Sequence, residues 1–217
     1  MTTIAMYSHA SRSDIRAKTL KLLEGVNMAV DAVTVQDTPP KQSENRRNAH
    51  TALTAAFNDK PVLVLEDDII PNRYLPDWLA WLSRTSDSVT TLYACVGKFY
   101  DHEIRRFVEN HAAVPPHLWG LRKLEGLRGF YGAQAVWIPT RIANQMIHDR
   151  KFQLFEHEPY GPWDHAIRTF LQDNGYSMNV TIPNLVQHQA PPSVVNRTGL
   201  RHKTNIFDVA ARPPERK

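Results

Sequence analysis

The sequence predicts an α/β domain with a mostly parallel central sheet and helices on both faces, from three observations. Short apolar runs alternate with stretches of helical period through the first 180 residues. One of those runs, Val62-Leu63-Val64-Leu65, is uninterrupted, as a strand buried on both faces must be. It ends abruptly in three acids, Glu66-Asp67-Asp68, and ligands of open α/β sheets bind at the carboxyl ends of strands.

The elements follow in order. Thr3 to Tyr7 is a short apolar strand, and after the polar Ser8 to Ser13 a helix places Ile15, Thr19, Leu22 and Leu23 on one face and closes at Gly25. Val30 to Val35 is the second strand, ended by Gln36, Asp37 and the breaker Pro39-Pro40. A helix from Ser43 aligns Ala49, Leu53, Ala56 and Phe57, flanked by Arg46 and His50, before the strand Val62 to Leu65. Pro76 and Asp77 open a helix carrying Trp78, Leu79, Trp81 and Leu82, and Val89 to Val96 follows as a strand. Gly97 to Arg128, polar and rich in His and Pro, is a long insertion. Ala133 to Ile138 returns as a strand, Thr140 caps a helix through Ile147, and Trp163, Ile167, Phe170 and Leu171 share a helix stopped by Asn174-Gly175. A last strand, Ser177 to Ile182, leads into Leu185-Val186-Gln187-His188.

Composition narrows the function. At 217 residues and 42% hydrophobic content the chain suits one domain, residues 1–196, with a basic tail from 197 to 217 that carries Arg197, Arg201 and Lys203. No apolar run of about 18 residues exists and Met1 to Leu23 is interrupted by polar and charged residues, so the expectation is a cytoplasmic protein with no membrane partner. The one cysteine, Cys95, fits a reducing compartment and a core position. A net charge of +4 leans toward a polyanionic partner.

If the chain stays extended through the acids, Glu66 and Asp68 point one way and Asp67 the other. Two carboxylates on one side suit a hard divalent cation; solvated loop acids favouring a helix N-terminus are the plainer alternative.

A strand ending in Glu66-Asp67-Asp68 resembles the acidic, DxD-like motif of GT-A glycosyltransferases. Gly132-Ala133-Gln134-Ala135-Val136-Trp137-Ile138 resembles their acceptor-side strand. Pro162-Trp163-Asp164-His165 and Pro183-Asn184-Leu185-Val186-Gln187-His188, with Ser193, resemble their late segments. The resemblance runs in order through most of residues 1–196 and implies a single Rossmann-like GT-A domain. It implies a nucleotide-sugar donor, by default a UDP-sugar, and manganese or magnesium held by Asp68 and His188. Glu66 and Asp67 then serve the donor, as do Tyr7, Ser8, His9 and Arg12 after the first strand. Asp37 would accept from the base, and of Arg46 and Arg47 one would reach a phosphate or the sugar while the other is solvated. Asp164 is the expected base for the acceptor hydroxyl, implying inversion, ahead of Asp149 and Glu158, although an Asp in a first helical turn also stabilises that turn unaided. The basic tail favours DNA with hydroxymethylated pyrimidines as acceptor, of the kind modified by bacteriophage enzymes, over a cell-surface glycan.

Two other readings compete. A receiver domain also has acids after a buried strand, but needs an Asp and a Lys after later strands, and Asp101 follows a polar Lys-Phe-Tyr stretch. A non-catalytic nucleic-acid-binding module would use the basic tail with Trp119, Tyr131 and Phe207, and leaves the three acids unexplained.

Overall fold

The computed structural model describes residues 1–37, 42–93, 102–109, 114–124, 130, 133–150, 162–189 and 207–214. Cys95, Asp101, Tyr131, Gly132, Glu158, Ser193, Arg197, Arg201 and Lys203 lie outside them, as do parts of the stretch read as an insertion.

In chain order the elements are β1 (Thr3–His9), α1 (Ser13–Glu24), β2 (Ala32–Gln36), α2 (Gln42–Ala56), β3 (Val62–Glu66), β4 (Ile69–Pro71), α3 (Leu75–Thr85) and β5 (Val89–Thr91). There follow α4 (His102–Glu109), β6 (Gly120–Lys123), β7 (Ala135–Ile138), α5 (Thr140–His148), α6 (Trp163–Asp173), β8 (Met178–Ile182) and β9 (Val186–His188). Seven strands form one sheet in the order β2-β1-β3-β7-β5-β8-β6. Five run the same way; β7 and β6 are reversed, each antiparallel to its neighbours. The domain is α/β and mostly parallel, as the alternation of runs predicts.

Side-chain alternation along the strands divides the core in two. Ala5, Tyr7, Val62, Val64 and Val136 pack beneath α2, α5 and α6, while Ile4, Met6, Leu63, Leu65 and Trp137 meet α1 and α3 on the other face. Both faces of β3 are thus covered, which is why its run is apolar throughout.

Helix ends obey local rules with one exception. Pro76 and Asp77 occupy the first turn of α3, and Gly175 takes a φ of +67° beyond the C-cap Asn174 of α6, a conformation that costs glycine little. Thr140 does not cap α5: it is the first helical residue, Pro139 holds the cap position, and no side chain caps that end. Proline's fixed φ and missing N–H suit a helix entry, so the pattern Pro-Thr shifts the start by one residue.

The chain passes from β1 to β2 on one side, then crosses to β3 on the other side of β1. This reversal opens a crevice above the carboxyl ends of β1 and β3. A separate two-stranded ribbon, β4 against β9, follows directly on the end of β3. The last described segment is no free tail: Arg73 N donates to Val209 O at 2.8 Å, Trp78 Nε1 to Ala211 O at 3.0 Å, and Phe207 bridges Asn184.

Candidate metal and nucleotide site

β3 delivers Glu66 to the carboxyl edge, and a tight turn at Asp67-Asp68 then sends the chain into β4. The turn is held from three sides. Thr19 of α1, read from the sequence as a helix-face residue, donates its hydroxyl to Asp67 O at 2.6 Å. Gln189 N donates to Asp68 O at 2.7 Å, and Gln189 Nε2 reaches Thr19 Oγ1 at 2.8 Å. β9 pairs with β4 in a register that sets His188 opposite Ile69, one residue beyond Asp68. Its Nε2 lies 3.1 Å from Asp68 Oδ2.

The chain turns at Asp67-Asp68 instead of staying extended, and the turn still sends Asp67 one way and Glu66 and Asp68 the other. Asp67 turns toward β1, where Ser8 Oγ donates to Oδ2 at 2.5 Å and Arg12 pairs with Oδ1 at 2.9 Å. Glu66 and Asp68 turn to the other side and converge with His188, their ligand atoms all within 4.8 Å of one another. Opposite ligands of one divalent ion stand about 4 to 5 Å apart, so two carboxylates and an imidazole match a single small cation. One further observation favours that fit: Asp68 Oδ1 is sealed from solvent without a hydrogen-bond partner among the described residues. A buried carboxylate oxygen left bare is costly unless a cation or donor meets it.

Arg12, at the end of the turn Ala10–Arg12, spans the two halves of the site, its guanidinium touching both Asp67 and Asp68. Tyr7 donates its hydroxyl to Glu66 Oε1 at 2.8 Å, and Arg16 NH1 donates to Ser8 Oγ at 2.8 Å. Asn48 of α2 donates to Ser8 O at 2.7 Å, fixing the end of β1.

Charge crowding in this shielded place moves the titrations apart. Burial, then the charge of Asp68, pushes Glu66 up to about 7 against the opposing pull of Tyr7, His188 and Arg12. Burial also opposes ionisation of Asp68, but the hydrogen bond from His188 and the charge of Arg12 outweigh it and hold that carboxyl below its ordinary value. Burial disfavours charge on His188, yet Asp68 leaves it raised. Asp67 is raised by burial, which exceeds the help of Arg12 and Ser8. Burial and the neighbouring Glu66 keep the Tyr7 hydroxyl protonated, with the charge of Asp164 contributing.

Seven sequence-predicted residues therefore meet: Tyr7, Ser8, Arg12, Glu66, Asp67, Asp68 and His188. Of the other residues, His9 reaches the Asp67 carboxylate through a backbone hydrogen bond. His9 Nδ1 accepts from Ser11 N at 3.2 Å and so caps its own turn. Asp37 is exposed just past the end of β2 and makes no hydrogen bond or ion pair with the cluster among the described residues. Arg47 is the solvated member of its pair, 46% exposed beside Glu44, whereas Arg46 is only 2% exposed. Asp164 lies in the first turn of α6, its Oδ1 accepting from His165 N at 2.9 Å, and Asp149 follows the end of α5. Sequence reasoning missed Thr19, Arg16, Asn48 and Gln189, whose roles depend on contacts 8 to 170 residues distant.

No protein-family model matches the chain, and no curated protein sequence does. Among 23 solved chains that match in structure is a crystal structure of a glycosyltransferase involved in the glycosylation of the major capsid of PBCV-1. It shares 12% identity over 82% of this chain and 81% of that one, with a TM-score of 0.43. A likeness that distant carries no argument about activity, so the functional reading rests on the site.

Proposed function

We propose that this protein is a metal-dependent glycosyltransferase that uses a nucleotide-sugar donor, by default a UDP-sugar. The observation that carries the reading is the convergence of Glu66, Asp68 and His188 at the crevice above β1 and β3, with a bare carboxylate oxygen among them. The residues that would hold manganese or magnesium are Asp68 and His188, joined by Glu66. Such an ion supplies positive charge to a donor diphosphate as it departs.

The chain's own groups supply the rest. Arg12 adds a planar, permanently charged donor set beside the acids, suited to phosphate oxygens. Asp67 and Ser8 orient Arg12 and the end of β1, and the Tyr7 hydroxyl fixes Glu66. Asp164 takes the proton of the acceptor hydroxyl as its oxygen bonds to the anomeric carbon, and the bond from that carbon to the diphosphate breaks with its electrons leaving on the nucleotide. Attack opposite the leaving group inverts the anomeric centre.

For the acceptor, the excess of basic residues supports hydroxymethylated pyrimidines in DNA. The test is release of UDP from UDP-glucose and UDP-galactose with manganese, in the presence of hydroxymethylcytosine DNA, ordinary DNA or a surface glycan. Release dependent on manganese and on the hydroxymethyl group supports the whole reading. Release with the glycan alone moves the acceptor, and DNA binding with no response to metal or nucleotide returns the nucleic-acid-binding module to first place.

A further inference from the structure

Beside the acids, on the face covered by α2 and α6, lies a polar side chain that nothing in the metal and nucleotide site uses. Glu66 N donates to Gln134 O at 2.9 Å, continuing the antiparallel register in which Leu65 faces Ala135 and Val64 faces Val136. In the parallel register on the other side, Tyr7 faces Glu66. Tyr7, Glu66 and Gln134 thus form one row across β1, β3 and the entry to β7, at the carboxyl edge of β1 and β3. Alternation puts Gln134 on the same side as Val136, Val64 and Tyr7, the face on which α6, the helix that carries Asp164, packs.

Tyr7 and Glu66 satisfy each other at 2.8 Å, but Gln134 does not share in it. Gln134 is 8% exposed, and its Oε1 is shut off from solvent with no hydrogen-bond partner among the described residues. A desolvated, unpaired amide oxygen is destabilising, and packing alone would be served as well by methionine or leucine at the end of a strand otherwise apolar from Ala135 to Ile138. The polar group is therefore kept for something that arrives from outside the fold, and what an amide oxygen takes is an N–H or O–H. Gln134 stands one strand spacing, about 4.8 Å, from Glu66. With the diphosphate at the acids, the group reached at that distance on the Asp164 side is the sugar.

From this row we infer that Gln134 is a specificity residue whose amide oxygen accepts a hydrogen bond from a hydroxyl of the sugar being transferred. The inference rests on the nucleotide-sugar reading and adds the residue that recognises the sugar as distinct from the nucleotide. It makes Gln134 a contact to the hydroxyl pattern of the ring, so that the sugar preferred depends on this position.

The variants are Gln134→Met, which keeps length and removes the acceptor, and Gln134→Leu. Each is melted without ligand, then titrated with manganese present using UDP, GDP, UDP-glucose, UDP-galactose and GDP-mannose. The expected result is a ligand-free melting temperature equal to or above wild type and nucleoside diphosphate affinities within about twofold. The preferred nucleotide sugar binds about tenfold more weakly, the worth of one buried hydrogen bond. Melting temperatures of both variants lower by more than about 5 °C show that the fold itself needs the amide and overturn the inference. Equal weakening of nucleotides and nucleotide sugars, or no weakening of either, overturns it while leaving the donor site standing. Wild-type protein that binds neither UDP nor GDP with manganese overturns the donor reading itself, and the assignment of Gln134 falls with it.

Discussion

Asp68 is the most constrained residue of the site. It is 1% exposed and is touched by Arg12 and His188 through one oxygen while the other stays bare. Arg12 therefore stands where a cation's charge is needed when no cation is bound. Replacing it by Gln should raise manganese affinity in the absence of nucleotide, by roughly tenfold for the removal of one nearby positive charge, and weaken nucleoside diphosphate binding. Titration calorimetry of the two ligands separately would expose the opposite signs; a loss of both affinities would mean that Arg12 only scaffolds the acids. Glu66 gives the pH dependence. With its folded value near 7 and its ordinary value 4.5, the folded protein keeps a proton that the unfolded chain releases between those values. The contribution of Glu66 to the stability of the metal-free protein therefore falls as pH rises from about 4.5 through 7, and manganese affinity should climb across the same window as that proton leaves. Glu66→Gln removes this slope; an affinity for manganese that is flat from pH 5 to 8 in the wild type would refute the assignment. At this scale the acids were legible because three charges after a buried strand are costly without a purpose. Thr19 and Gln134 were not, since nothing in the sequence says that a threonine on a helix face holds the acid turn or that a strand's glutamine is left unpaired.

At the scale of elements, β9 gives the site its histidine, and it does so by pairing with β4, with Ile69 set opposite His188, 119 positions further along the chain. No local pattern announces a three-residue strand whose partner is so distant. The antiparallel course of β7 was equally hidden, because the run Ala135 to Ile138 is apolar whichever way it points. The alternating strands and helices from β1 to β3, by contrast, follow from local periodicity and lie where it sets them. The segment from Phe207 to Pro214 braces the ribbon from behind: Asn72 Nδ2 donates to Asp208 O, Arg212 covers the Tyr74 ring at 4.5 Å, and Ala211 is fully buried. Ending the chain at residue 206 removes this packing and, in all, four hydrogen bonds to Trp78 of α3 and to Asn72, Arg73 and Tyr74, which connect β4 to α3. At about 1 kcal/mol each they sum to about 4 kcal/mol, and the melting temperature should fall by about 8 to 16 °C. A truncated protein that melts like the full chain would show the brace to be idle.

Across the whole molecule, a sheet covered on both faces fixes the carboxyl ends of β1 and β3 side by side, and the chemistry collects at that one edge. The acceptor belongs to this scale, for it meets the molecule as a whole, and the sequence carries a net charge of +4. If DNA is the acceptor, its affinity should fall steeply with salt, with a slope of about −0.9 for each phosphate neutralised. A salt-independent affinity measured by fluorescence anisotropy would favour a neutral glycan. Beneath the choice of acceptor lies the claim that a divalent ion and a nucleoside diphosphate share the cluster of Glu66, Asp68 and His188. The most direct measurement is a thermal melt with manganese alone, UDP alone, both together, and the pair again with Asp68→Ala. At ligand concentrations about a hundred times the dissociation constant the pair should add about 2.7 kcal/mol, a rise of about 5 to 11 °C that disappears in Asp68→Ala. A cooperative melt unmoved by the pair, or moved equally in Asp68→Ala, would contradict the account.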